Sequence, residues 1–369
     1  MYLMKTTCLR ILSLTLFITL LATSCGVNTN SGETNTDKFD REAMLAHWAD
    51  NIILSAYQSY KASTDLLRQA TTSFTSTPNI ENLITLKATW LQAYTAYQMV
   101  ALYQVGPDQI NQVSQRTNIY PTNTDMVLEY AERETFNFDL PSSFAAQGYP
   151  AIEFLLYATS DSEVIEFYTQ SDNHKAHLSA LVNVVADNAD FMLASWNAEY
   201  RNEFVGASGS SATASVNIMA NRFVEYFERQ IRANKVGIPA GIFSMEPLAD
   251  KVEGLYAKGV SKSLYLASVV ALQNFFNGQY DTDATQGEGF AQYLSYLEKG
   301  DIATDISGHL TQAIALASEL NDDFGQQVID DNTKMLALYD ELQKAVILLK
   351  VDMMQALNIK ITYVDADGD

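Results

Sequence analysis

Residues 83–97, LITLKATWLQAYTAY, set Leu83, Leu86, Trp90, Tyr94 and Tyr97 at intervals of three and four. Side chains spaced in this way lie one above another on a single face of an α-helix. The same period recurs on both sides. Met44, His47, Trp48, Ile52, Ser55 and Ser59 start one stripe, and residues 177–200 and 212–233 read as two further helices. Ser261 is placed to cap a helix running to Phe276, which Gly278 stops. A shorter helix is expected within 287–300, and longer ones over 305–320 and 324–357. Only seven prolines interrupt the 369 residues and strand-like alternation is scarce, so the expected fold is all-α, built as two packed helical bundles. The Gly/Ser-rich stretch 206–212 is the natural boundary, dividing residues 40–207 from 208–369.

The amino terminus sets the expected compartment. Lys5 and Arg10 precede an apolar run over 11–21, long enough for a signal-peptide core and too short for a comfortable membrane span. Ala22-Thr23-Ser24-Cys25 then resembles a lipobox, although Leu21 lies one place earlier than the usual pattern. The reading is a lipoprotein signal over 1–24, lipidation at Cys25, and a polar tether over 25–39. The expected product is an outer-membrane lipoprotein facing the periplasm. Cys8 leaves with the signal, so the mature chain keeps one thiol and can form no intrachain disulfide. Catalytic cysteine and zinc–thiolate chemistry are excluded together.

The whole chain carries 23 basic and 44 acidic residues, a net charge of −21, and becomes two units more negative once Lys5 and Arg10 are removed. With no basic patch to offset it, that charge argues against nucleic acid or an anionic membrane surface as a partner.

A further group of motifs carries a family resemblance. Gly148-Tyr149-Pro150-Ala151-Ile152-Glu153 resembles the Gly-x-His-x-x-Glu signature of imelysin-like proteins, with proline in the histidine position. Trp90, Tyr94 and Tyr97 run toward Gly106-Pro107, and Arg116-Thr117-Asn118-Ile119-Tyr120-Pro121 follows, in the order that family shows. Glu246-Pro247-Leu248, Glu253, Ser261-Lys262-Ser263-Leu264, Asn274 and Gly278 continue the series. The similarity spans roughly residues 40 to 365. It implies two helical bundles with a site near their junction, lined by Gly148, Tyr149, Pro150, Glu153, Arg116, Glu253 and Ser261. It also implies a role in iron or metal acquisition, with iron or another divalent metal as the bound species, Glu153 as the surviving metal ligand, and an uptake-system protein as partner.

Each candidate has a plainer reading. Glu153 in the first turn of a helix opened by Pro150 interacts favourably with the helix dipole without any function. Ser261 is accounted for as an N-cap, and Arg116 either clamps an anionic ligand or pairs with one of many carboxylates. Glu129 and Glu132 share a helical face that reads as solvated. His174 and His177 have ligand spacing but sit beside the polar stretch 170–175, where surface histidines are expected; His47 and His309 are isolated. Asp365, Asp367 and Asp369 begin a calcium-loop pattern that lacks its remaining ligands. Three functions follow in order: a protein binding a metal, a metal chelate or a small ligand; a helical scaffold that has lost its ligand; and a metallopeptidase. The last needs a metal-bound water and a general base, and Pro150 removes the expected first ligand. No catalytic residue is assigned.

Overall fold

The computed structural model describes residues 37–281 and 286–363. The signal segment, Cys25, most of the tether and the acidic tail 365–369 lie outside the described residues. The chain enters through α1 (Arg41–His47), passes a π turn at Trp48–Ile53 and continues as α2 (Leu54–Ser76). There follow α3 (Ile80–Val100), α4 (Pro107–Asn111), α5 (Thr124–Ala131), α6 (Gly148–Tyr157), α7 (Asp161–Gln170), α8 (Asp172–Ser195) and α9 (Arg201–Gly206). After the Gly/Ser-rich stretch, α10 (Ser215–Glu225) runs straight into a π-helix at Tyr226–Gly237. The last elements are α11 (Ser261–Phe276), α12 (Phe290–Tyr296), α13 (Gly300–Ser318), α14 (Phe324–Ile347) and α15 (Met354–Ala356). The fold is all-α, with no strand among the described residues. None of the described helices is long and apolar enough to cross a membrane.

Local chemistry starts several of these helices. The Asn79 side chain accepts the Asn82 amide at 2.9 Å ahead of α3, and the Asn123 side chain does the same for Met126 at 3.1 Å ahead of α5. Ser160 and Glu163 form a reciprocal capping box at α7. Each such cap contributes about 1 kcal/mol. Burial contributes more: Trp48, Trp90 and Trp196 are wholly buried, and each removes 150 Å² or more of mostly apolar surface from water, roughly 4 kcal/mol before entropy. The stripe Leu83, Leu86, Trp90, Tyr94 and Tyr97 faces inward along its whole length.

Residues from Phe39 onward form one compact unit. In it, α2 packs on α3 and α8, and α6 lies against α3 and α8. Toward the other end, α13 packs on α12, α11 and α14, and the π-helix packs on α14. The joining contact is α11 against α3, with Tyr103 and Trp48 meeting Phe275 at ring distances of 5.6 and 4.7 Å.

Two expectations are corrected. Ser261 does open α11, but its side chain does not cap the helix; its hydroxyl donates instead to the Glu253 carbonyl at 2.7 Å. His174 and His177 are not surface groups. The His174 ring stacks on Phe167 at 3.7 Å and bonds the Phe167 carbonyl and Glu132, while His177 is wholly buried against Phe136 and Phe138. Glu129 and Glu132 remain solvated, as their spacing implied.

Candidate functional site

The motif segment begins with a glycine that no other residue could replace. Gly148 has φ +78°, and a Cβ there would stand 2.2 Å from the Thr117 carbonyl oxygen. The close approach lets the Tyr149 amide donate to that same oxygen at 2.9 Å, docking α6 onto the 116–118 segment. Tyr149 then stacks on Tyr94, with centroids 4.6 Å apart and planes 5° apart, and its hydroxyl donates to Tyr60 at 3.1 Å. The Trp90 indole N–H donates to the Tyr149 carbonyl at 3.2 Å. Pro150 is buried in the first turn of α6. Together these contacts position Asn118 and Tyr94 on one side of Glu253.

Glu253 is the hub. Its Oε1 accepts from the Tyr94 hydroxyl at 2.9 Å, the Gln98 amide at 3.0 Å and the Asn118 amide at 2.8 Å. Its Oε2 is ion-paired with the Lys235 ammonium, which also donates to Gln98 Oε1 at 3.1 Å. Both charged side chains are buried. Burial lowers the Lys235 pKa, and the Glu253 carboxylate opposes that shift.

Glu153 works on the same loop from the far side. It is buried, and its Oε1 accepts the backbone amides of Tyr256 at 2.7 Å and Ala257 at 2.9 Å. Desolvation lifts its pKa from 4.5 to about 7, against the pull of those two amides, with the nearby Glu253 charge adding to the rise. The motif glutamate therefore tethers the turn that presents Glu253. Two variants separate this role from one that needs its charge. Glu153→Leu leaves two buried amides without an acceptor and is expected to lose about 2–4 kcal/mol in urea unfolding, with faster hydrogen exchange over 254–260. Glu153→Gln keeps the acceptor oxygen and should keep that protection. A raised folded pKa means stability is fullest below pH 4.5 and is lost as pH rises through 7. The glutamine variant should therefore gain on wild type by about 3 kcal/mol between pH 5 and pH 8. A glutamine variant as damaged as the leucine one would overturn the tether.

A cavity of about 140 Å³ opens beside this hub, lined by Tyr97, Gln98 and Ala101 of α3, by Asn118 and Tyr120, and by Tyr226, Gln230 and Lys235 of the π-helix, among others. In an α-helix, residues 226 and 235 would point half a turn apart. The wider π turns bring Tyr226, Gln230 and Lys235 to one face. Burial raises the pKa of Tyr97, Tyr120 and Tyr226, so their hydroxyls keep their protons.

Of the residues expected to line a site, Glu253 and Ser261 belong to the hub, and Gly148, Tyr149, Pro150 and Glu153 support it from behind. Arg116 turns its two terminal nitrogens to Asp139 and Asn188 at 3.2 Å each, leaving its buried Nε–H without a partner. Gln98, Lys235, Tyr226 and Gln230 were not anticipated. Gln98 was findable, one turn beyond Tyr94 on the same stripe; the other three were hidden by the π-helix. A metal ion finds no donor set here. Glu153 Oε1 is committed to two amides and the Glu253 carboxylate to Lys235 and three neutral donors. No group of three His, Cys, Asp or Glu side chains suited to a metal ion occurs among the described residues.

The imelysin family model matches residues 53–349. An imelysin-like protein from Psychrobacter arcticum 273-4 has a similar crystal structure, with TM-score 0.67 and 17% identity over 88% of this chain and 97% of that one. A putative iron-regulated protein A precursor from Parabacteroides distasonis ATCC 8503 superposes with TM-score 0.69 and 13% identity, over 85% and 95% of the two chains. No curated protein matches the chain.

Proposed function

Since the chain belongs to the imelysin family, we propose that it is a binding protein that takes a small polar ligand into the cavity beside Glu253 and Lys235. The observation that carries this reading is the buried ion pair itself. Taking two charges out of water costs several kcal/mol per ion, and stability alone is served as well by apolar residues of the same size. A costly polar hub opening on a cavity is the arrangement expected of a recognition site. The sequence of the amino terminus supports placing that site in the periplasm, on a lipoprotein held at the outer membrane through Cys25. The Parabacteroides distasonis neighbour is described as iron-regulated, which fits a role connected with iron supply. The donor set favours a ligand held by hydrogen bonds over a bare metal ion bound by protein carboxylates. A metallopeptidase reading lacks its metal donors among the described residues.

The test is the melting temperature of the purified chain against Fe(II), Fe(III), Zn(II), haem, ferric citrate, inorganic phosphate and glucose, with Gln230→Trp alongside to fill the cavity. A saturable rise with a hydrogen-bonding ligand, lost in the tryptophan variant, is the expected result. At a hundredfold excess over Kd it should reach about 2.7 kcal/mol. A rise that survives in Gln230→Trp, or peptide turnover that a chelator abolishes, would overturn the reading.

A further inference from the structure

The cavity wall is unequal in its hydrogen-bonding capacity, and this names the ligand's chemistry. The acceptors of its buried hub are already engaged. Glu253 receives three neutral donors and the Lys235 ammonium. Gln98 Oε1 receives Lys235, an assignment chemistry forces, because Lys235 can only donate and Glu253 can only accept from the other end of that amide. The one Tyr94 proton is shared between Glu253 Oε1 and Asn118 Oδ1, and Gln104 Oε1 receives the Arg222 guanidinium. The donors are in surplus. Lys235 has a third N–H, and the half-buried Gln104 amide group has no protein acceptor among the described residues. Tyr226 is buried, and its hydroxyl has no partner at good hydrogen-bond geometry; the nearby Ser268 gives its own proton to the Tyr265 carbonyl at 2.7 Å and offers Tyr226 only a weak contact. Unmet buried donors are costly, and the species that relieves them is rich in acceptors.

We propose that the cavity binds an oxyanion group, a carboxylate or phosphate, through the Tyr226 hydroxyl, the Gln104 amide and the remaining Lys235 proton. This deepens the ligand-binding reading and rests on it. The cavity volume suits an anionic head group better than a large molecule. The chain's net charge of −21 does not forbid it. Exposed carboxylates are screened beyond about 8 Å at physiological salt, whereas N–H and O–H donors act at contact, and hydrogen bonds to an ionised acceptor are about twice as strong as neutral ones. The hub charges beside the cavity have counter-charges, Lys235 with Glu253 and Arg222 with Glu225, and the nearby Asp108 carboxylate is turned to the Ser114 amide and hydroxyl, so an entering anion meets no unpaired carboxylate of the hub.

Isothermal titration at constant ionic strength tests this with four probes: inorganic phosphate, citrate, acetate and the neutral sugar glucose. Saturable binding of at least one anion, with glucose silent, is expected. Phosphate alone would identify a phosphate head group, and citrate or acetate alone a carboxylate. Tyr226→Phe removes a hydroxyl with no strong protein partner, so it should leave the melting temperature nearly unchanged or raise it while weakening the anion about tenfold. Glucose binding without any anion overturns the oxyanion and leaves the binding reading standing. Anion affinity indifferent to both Tyr226→Phe and Gln104→Leu, or no anion binding up to 20 mM (on the order of the weakest useful affinities), overturns the oxyanion as well.

Discussion

Glu253→Gln is expected to destabilise the chain by about 3–5 kcal/mol at pH 7, among the largest losses any single substitution here should cause. The change is nearly isosteric, so the loss does not come from packing. It comes from Lys235, which is left buried with its charge uncompensated, and from the new amide NH2, which must face either the Lys235 ammonium or the three donors now served by Oε1. Lys235 already has a lowered pKa from burial, and without Glu253 nothing opposes that shift. The variant should therefore lose less at pH 9, where Lys235 can shed its proton, than at pH 7. Adding Lys235→Met should restore much of the stability, because a buried pair replaced by neutral groups costs far less than a pair broken on one side. Urea unfolding of the two single variants and the double variant reads this directly. A Glu253→Gln loss below about 1 kcal/mol, or a double variant no better than the single, would show that the pair does not carry the hub.

His177 is expected to make the fold acid-sensitive. Its ring is wholly buried, both nitrogens lack a hydrogen-bond partner, and Phe136 and Phe138 pack on it at 5.4 and 5.9 Å. Desolvation, with a smaller push from His174, lowers its pKa from 6.5 to about 4. The unfolded chain therefore binds the proton first. The stability due to the neutral ring is fully present above pH 6.5 and falls by about 3 kcal/mol as pH drops to 4. Glu153 acts in the opposite direction between pH 4.5 and 7, so the total pH profile mixes the two. The difference between wild type and His177→Leu isolates the histidine, because leucine fills the site without a titrating group. Wild type should weaken relative to His177→Leu by that amount between pH 7 and pH 4. Parallel profiles would mean that the ring is hydrated or already paired in solution.

The two expectations differ in how visible their causes were in the sequence. The stripe through Trp90, Tyr94 and Tyr97 could be read from its spacing, because amphipathic helices repeat their apolar positions whatever they pack against. Gly148 and Glu153 stood out as a motif, and Glu253 and Ser261 were marked as candidates, but their shared loop was not. The burial of His174 and His177 could not be read from residues 170–177, since the phenyl rings that cover His177 arrive from a segment some forty residues upstream. For Arg116 nothing local could choose between clamping a ligand and pairing with a carboxylate; the tertiary structure sets it on Asp139 and Asn188.

Sequence alone determined what depends on short-range order: the helical class, the inward stripe of α3 and the acidic composition; the earlier stripe from Met44 lost its phase at the π turn 48–53, which leaves Ser59 exposed. The site was decided by tertiary structure. Tyr226 and Lys235 share a wall only because the chain winds there as a π-helix, and a reading based on the 3.6-residue period places them on opposite faces. Glu153 and Glu253, a hundred residues apart, act on one turn only because α6 docks where Gly148 has no side chain to block it. Helical periodicity is a property of neighbours along the chain, whereas a cavity wall is a property of neighbours in space.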